Sequence, residues 1–199
     1  MQNDARRLAM TPETPMPGTD GIWTFVFIDM SIFLLIFFTF MSERLRNIAL
    51  YAASQQQLNV WFGVANTLIL LTSSWMVVNA ARSARQRIPA QVSRNLTLAF
   101  LFGVAFAVDK LIEYRLEFEA GITPVTNPFF SFYFFITIVH FLHVLAGLVF
   151  IGFYWKRANV HDWTPRYVSS LENVGLFWHY VDVLWIFIFP SLYLLGRRS

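Results

Sequence analysis

Residues Phe132 to Phe150 read FYFFITIVHFLHVLAGLVF, nineteen positions without a single Asp, Glu, Lys or Arg. An α-helix rises about 1.5 Å per residue, so about 20 mainly apolar residues cross about 30 Å of hydrocarbon. The quoted run meets that requirement inside an uncharged window, 128–155. Hydrocarbon offers backbone N–H and C=O groups no partner, so such a segment must be helical. Working outward, four further windows behave alike: 21–42, interrupted only by Asp29; 58–81, uncharged; 95–117; and 173–196, which contains Asp182. In the third of these the apolar run ends at Val108, after about 21 Å of helix. That helix must therefore continue through Asp109, Lys110 and Glu113. The expected fold is an all-α integral membrane bundle of five transmembrane helices over residues 21–199, behind a polar segment, 1–20.

Composition agrees: 56% of the 199 residues are hydrophobic and 14% charged, where a soluble domain carries about 25% charged residues. The net charge of +3 is spread among loops, with no basic stripe of the kind nucleic-acid binding requires. There is no Cys, which excludes disulfides, thiolate-held iron–sulfur or copper centres and Cys nucleophiles. Residues 1–20 are polar and carry no apolar stretch, so they do not read as a signal peptide.

Basic residues set the expected orientation. With five spans, Arg6, Arg7, Arg82, Arg85, Arg87, Arg94, Lys156, Arg157 and Arg166 share the amino-terminal side. Arg44, Arg46, Arg115, Arg197 and Arg198 share the other, with Lys110 inside a helix. The amino terminus is expected in the cytoplasm and the carboxyl terminus outside.

Ionisable groups at membrane depth are expensive and call for partners. Asp29 lies about 12 Å into the first helix, where it reads either as a protonatable site or as a carboxyl bonded to a neighbouring helix. Lys110 and Glu113 at i,i+3, with Asp109 and Glu113 at i,i+4, can neutralise one another. Lys110 can also snorkel outward to a headgroup or a partner subunit. His140 and His143 share one face of the fourth helix, and His179 and Asp182 one face of the fifth. Those four are expected to join helices in a hydrogen-bonded network. Haem held between His140 or His143 and His179 is the competing reading, although His179 falls near the start of its window. Trp178 and Trp185 read as interfacial or packing anchors. Ala99, Gly103 and Ala107 at i+4 spacing form a small-residue stripe that admits a close neighbour. His161 is expected in a solvated loop. No phosphate loop, nucleophile elbow or zinc motif occurs, so no active site of its own is expected.

The pattern H-F-L-H-V followed by Gly147, and W-H-x-V-D-V-x-W-x-F from Trp178, resemble subunit III of the haem-copper oxidases. The helix GIWTFVFIDMSIFLLIFFTFM, with Asp29 at the family's acidic position, extends the resemblance from Gly21 to Leu195. Within the family the chain resembles the short five-helix form. The stretches NTLILLTSS (Asn66 to Ser74), KLIEY (Lys110 to Tyr114), GITPVTNPFF (Gly121 to Phe130) and ENVGLFWH (Glu172 to His179) look most like the NorE group found with bacterial nitric oxide reductases. The resemblance implies a subunit of the bacterial cytoplasmic membrane without cofactors of its own. It would pack beside a haem-copper-type catalytic subunit, bind structural phospholipid between helices and support turnover. It also implies a place for Asp29 near the path of dioxygen in oxidases. Independently, four His, one of them in a loop, are too few to ligate two haems and a second metal.

Overall fold

The computed structural model describes residues 18–158 and 164–196; His161, Arg6, Arg7, Arg197, Arg198 and nearly all of segment 1–20 lie outside them. The described chain is all-α. Its helices are α1 (Asp20–Arg46), α2 (Ile48–Gln57), α3 (Val60–Arg85), α4 (Pro89–Glu119), α5 (Pro128–Ala158) and α6 (Pro165–Phe189). A π-helical turn, Pro190–Leu194, continues α6. Five of these helices, all but α2, are long and apolar enough to cross a membrane.

Local chemistry sets the ends. Asn59 and Thr164 cap α3 and α6 by accepting from the backbone N–H of Trp61 and Tyr167, and Pro89 and Pro165 sit at the first helical positions, where a missing N–H costs nothing. At the other end, α4 closes with Gly121 in the left-handed region, φ 78°. Ile122 N–H then reaches Glu117 O at 2.9 Å, the usual glycine-terminated closure. Helix α3 closes in the same way, Ile88 N–H to Ser83 O at 3.0 Å, but there the left-handed residue is Arg87, φ 56°.

Two elements depart from the expected pattern. Residues 48–57, expected to be loop, form α2, which buries Tyr51, Ser54 and Gln55; that i, i+3, i+4 spacing is helical, but a ten-residue helix is too short for a span. The second departure is the π-turn. Pro190 has no N–H to continue the i→i−4 ladder, and the hydrogen bonding resumes with Leu195 N–H to Pro190 O. Leu192 and Tyr193 of this turn are buried.

Helices α3, α4, α5 and α6 pack on one another, while α1 leans on α5 and α6 and leaves Phe27 and Phe38 more than 70% exposed. In a bilayer such a surface meets lipid or another membrane subunit at no hydrophobic cost. The small-residue stripe of α4 is buried. A Cβ on Gly103 would approach Leu148 and the Trp178 ring, and one on Gly147 would meet the same indole, so the two glycines leave the space in which Trp178 wedges α4, α5 and α6 together.

Candidate functional site

Lys110 does not snorkel: it is 0% exposed, because its position on α4 faces α5 and the C-terminal turn rather than lipid. Its Nζ donates to Glu113 Oε2 at 2.9 Å, to Tyr193 Oη at 2.9 Å and to Tyr133 Oη at 3.3 Å. Each phenol in turn donates to Glu113 Oε1, Tyr133 at 2.8 Å and Tyr193 at 2.5 Å. All three ammonium protons and both carboxylate oxygens are thus occupied. The rings of Tyr114, Tyr133, Trp185 and Tyr193 surround the ammonium with centroids 4.9–5.6 Å away, within cation–π range. The four groups form a closed, electrically neutral knot that joins α4, α5 and the C-terminal turn. Asp109 stays outside it, half-buried with Oδ2 lacking a hydrogen bond, whereas Glu117 is buried one turn further on.

Asp29 makes the second cluster. Tyr180 of α6 donates to its Oδ2 at 2.5 Å, and His143 Nε2 of α5 lies 3.1 Å from the same oxygen. His143 Nδ1 is 2.8 Å from Val139 O. A carbonyl only accepts, so Nδ1 carries the hydrogen. A neutral imidazole would then present a bare Nε2 to the carboxyl oxygen, two acceptors face to face. The contact is a hydrogen bond only if one proton sits between Asp29 and His143, on either atom. This trio ties the loosely packed α1 to the rest of the bundle.

The remaining polar groups divide between α3, α5 and α6. His179 Nδ1 meets Ser74 Oγ at 2.5 Å. Because α6 starts at Pro165, eight residues before the expected window, His179 lies about 21 Å along its helix and not near its start. Asp182 is buried next to this pair, with Oδ1 unbonded. His140 departs from the expected network: it is 0% exposed, neither ring nitrogen finds a partner, and the ring packs edge-on against Phe106 and tilted against Trp185. The three histidines of the spans therefore have three different sets of neighbours, and His179 is held by a serine of α3 rather than paired with a histidine of α5. Trp178 and Trp185 are both buried packing groups, and Trp185 Nε1 donates to Thr67 at 3.0 Å.

Sequence reasoning passed over Tyr133, Tyr180, Tyr193 and Ser74. The available signal was each tyrosine in an apolar span, since a buried phenol seeks a partner; which carboxylate it would find depended on helix packing.

The family model described as cytochrome c oxidase subunit III matches residues 17–197. This chain belongs to that family. Among its relatives, the cytochrome bo(3) ubiquinol oxidase subunit 3 of Pseudomonas putida is 30% identical over 176 residues, covering 88% of this chain and 84% of the relative. The probable cytochrome c oxidase subunit 3 of Mycobacterium tuberculosis is 26% identical over 179 residues, 89% of this chain and 88% of the relative. The cytochrome c oxidase subunit 3 of Corynebacterium diphtheriae is 28% identical over 181 residues, with the same coverages. As a subunit III, a family of accessory subunits of haem-copper oxidases, the chain uses part of its buried charge, Lys110 and Glu113, in an internal tie, while Glu117 and Asp182 are buried outside it. The knot and the Asp29 trio each connect three segments.

A cleft of about 600 Å³ opens between α1, α5 and α6. Phe25, Phe150 and Phe177 line it together with Ala146, His143 and Tyr154, and among the described residues no Lys, Arg, Asp or Glu side chain borders it.

Proposed function

We propose that this subunit III is a non-catalytic partner of a haem-copper-type catalytic subunit in the bacterial cytoplasmic membrane, and that the partner is a nitric oxide reductase. The observation that carries the accessory role is the family match over nearly the whole chain. The use of buried polar groups supports it: Lys110, Glu113, Tyr133 and Tyr193 saturate one another, so none is aimed at a substrate. Such a subunit acts through contacts, by stabilising its partner or by ordering lipid. The uncharged aromatic cleft supports the second role, since it suits an acyl chain of a structural phospholipid better than a polar ligand. The nitric oxide reading rests on the resemblance of the stretches Asn66 to Ser74, Lys110 to Tyr114, Gly121 to Phe130 and Glu172 to His179 to the NorE group.

A second reading, an oxygen reductase, is favoured by the names of the relatives, which are subunits of ubiquinol and cytochrome c oxidases. Deleting the gene and measuring consumption of nitric oxide and of dioxygen by membranes separates the two. Under the leading reading nitric oxide consumption falls without disappearing, dioxygen consumption is unchanged, and the haem content of the catalytic subunit stays normal. A fall confined to dioxygen replaces it with the second reading. Complete loss of turnover by a partner still loaded with haem overturns the accessory role.

A further inference from the structure

Asp182 is 6% exposed and lies about 26 Å along α6. Among the described residues no cation stands against it: the Ser74 hydroxyl is the polar group that faces its carboxyl, and Oδ1 is unbonded. An ionisable residue at membrane depth is costly and calls for a role, and neither the Lys110 knot nor the Asp29 trio includes it. A carboxyl shut away from counter-charge changes its state only by exchanging a proton, which requires a route to water.

Side chains of α3 and α6 provide one. Ser74 Oγ, on a residue 4% exposed, meets His179 Nδ1 at 2.5 Å. His179 is half-buried and also lines a cleft of about 260 Å³ bordered by Arg82, Arg85 and Glu172. Those charged side chains stand at the membrane face where α3 ends and α6 begins, and His179 lies about 10 Å deeper along α6. The volume suffices for several waters, at about 30 Å³ each. The other titratable groups on the surrounding helices are engaged elsewhere: Arg85 with Glu172, Asp29 with His143 and Tyr180, and Lys110 with Glu113. Asp109 faces Asn66, and the His140 ring packs against Phe106 and Trp185. Arg82 stays at the rim of the cleft.

We propose that His179 and Ser74 form a proton relay and that Asp182 is the buried site it loads and unloads from water in the cleft. A serine hydroxyl donates one hydrogen while accepting others, and a neutral imidazole has one donor and one acceptor nitrogen, so the trio has two self-consistent arrangements. In the first, His179 Nδ1–H donates to Ser74 Oγ, whose own hydrogen goes to an ionised Asp182. In the second, protonated Asp182 donates to Ser74, which donates to His179 Nδ1, and Nε2 carries the imidazole hydrogen. Passing from first to second takes one proton from hydronium in the cleft at Nε2, moves the Nδ1 hydrogen to Ser74 and moves the Ser74 hydrogen to Asp182. Three bonds to hydrogen form, three break, and the single positive charge taken up neutralises the carboxylate. The relay goes beyond the accessory role proposed above and does not depend on which catalytic subunit is the partner.

The test gives the purified full chain in detergent a rapid drop in pH from a caged proton donor and follows the C=O stretch of protonated carboxyls by time-resolved infrared spectroscopy. A band that appears in the wild type and is missing from Asp182→Asn identifies the residue. In Ser74→Ala, which removes a single oxygen, and in His179→Phe, the rise of that band should slow at least about tenfold, a conservative share of what a positioned proton-transfer group contributes. Ser74→Thr keeps the hydroxyl and should restore the rate. A merely structural tie between α3 and α6 would leave the rate unchanged in all three. Should Ser74→Ala fail to fold, His179→Phe carries the test. A wild-type rate in either of the two, or no band that depends on Asp182 at any pH the protein survives, overturns the proposal.

Discussion

Substituting Lys110 by Met keeps the length and apolar stem of the side chain and removes only the ammonium. What remains is a carboxylate at Glu113, 1% exposed, with hydrogen bonds from Tyr133 and Tyr193 but no counter-charge. Three charge-assisted hydrogen bonds and the attraction of four rings go at once. Breaking a buried pair from one side costs about 3–5 kcal/mol, much of it the penalty of the stranded partner. The surviving phenol bonds place this case toward the lower end. For a chain of this length, about 2–4 °C per kcal/mol turns that into a drop of roughly 6–20 °C in the unfolding temperature. The assay is thermal unfolding of the detergent-solubilised protein by tryptophan fluorescence, for which Trp185, 5.5 Å from the ammonium, is a local reporter. Lys110→Met/Glu113→Leu removes both charges and should recover most of the loss, because well-packed apolar replacements of a buried pair are close to neutral. The cycle should show a coupling of at least about 2 kcal/mol. Additive losses, or an unchanged unfolding temperature in the single variant, would refute the reading of the knot as a mutually neutralised cluster.

Three further outcomes are expected. Tyr180 and His143 both meet Asp29 Oδ2, a place an amide fills either as oxygen, accepting from Tyr180, or as N–H, donating to His143, so Asp29→Asn should keep one of the two contacts and cost about 1 kcal/mol while Asp29→Leu, which keeps neither, costs about 1–3; equal losses by thermal unfolding would mean that neither contact ties α1 to the bundle. Gly103→Ala presses on Leu148 and Trp178 and should destabilise by about 1–3 kcal/mol, with Leu148→Ala in the same chain giving part of it back; a stabilised Gly103→Ala variant would show that Trp178 is not wedged there. For orientation, Cys at Gln86 should be shielded from an impermeant thiol reagent in intact cells and Cys at Val125, 90% exposed, should be labelled, the reverse pattern placing the amino terminus outside.

The five spans were legible in the chain itself because a bilayer imposes one solution on a long apolar run, namely a helix. Their number follows from counting such runs along the sequence. The family likeness was legible for a related reason: the polar residues that survive in such runs, Asp29, the His140 and His143 pair, His179 and Asp182, are few and therefore conspicuous. Their partners were another matter. Nothing in KLIEY says whether Lys110 turns toward lipid or inward, since stem length permits both; the choice is made by Tyr133 and Tyr193, which lie 23 and 83 residues away and arrive only when α5 and the C-terminal turn dock. Tyr193 itself sits in the π-turn that begins at Pro190. Likewise His140 and His143 are equivalent by spacing, yet one is enclosed by Phe106 and Trp185 and the other meets Asp29. Periodicity assigns residues to a face of a helix, and only tertiary packing decides what that face touches.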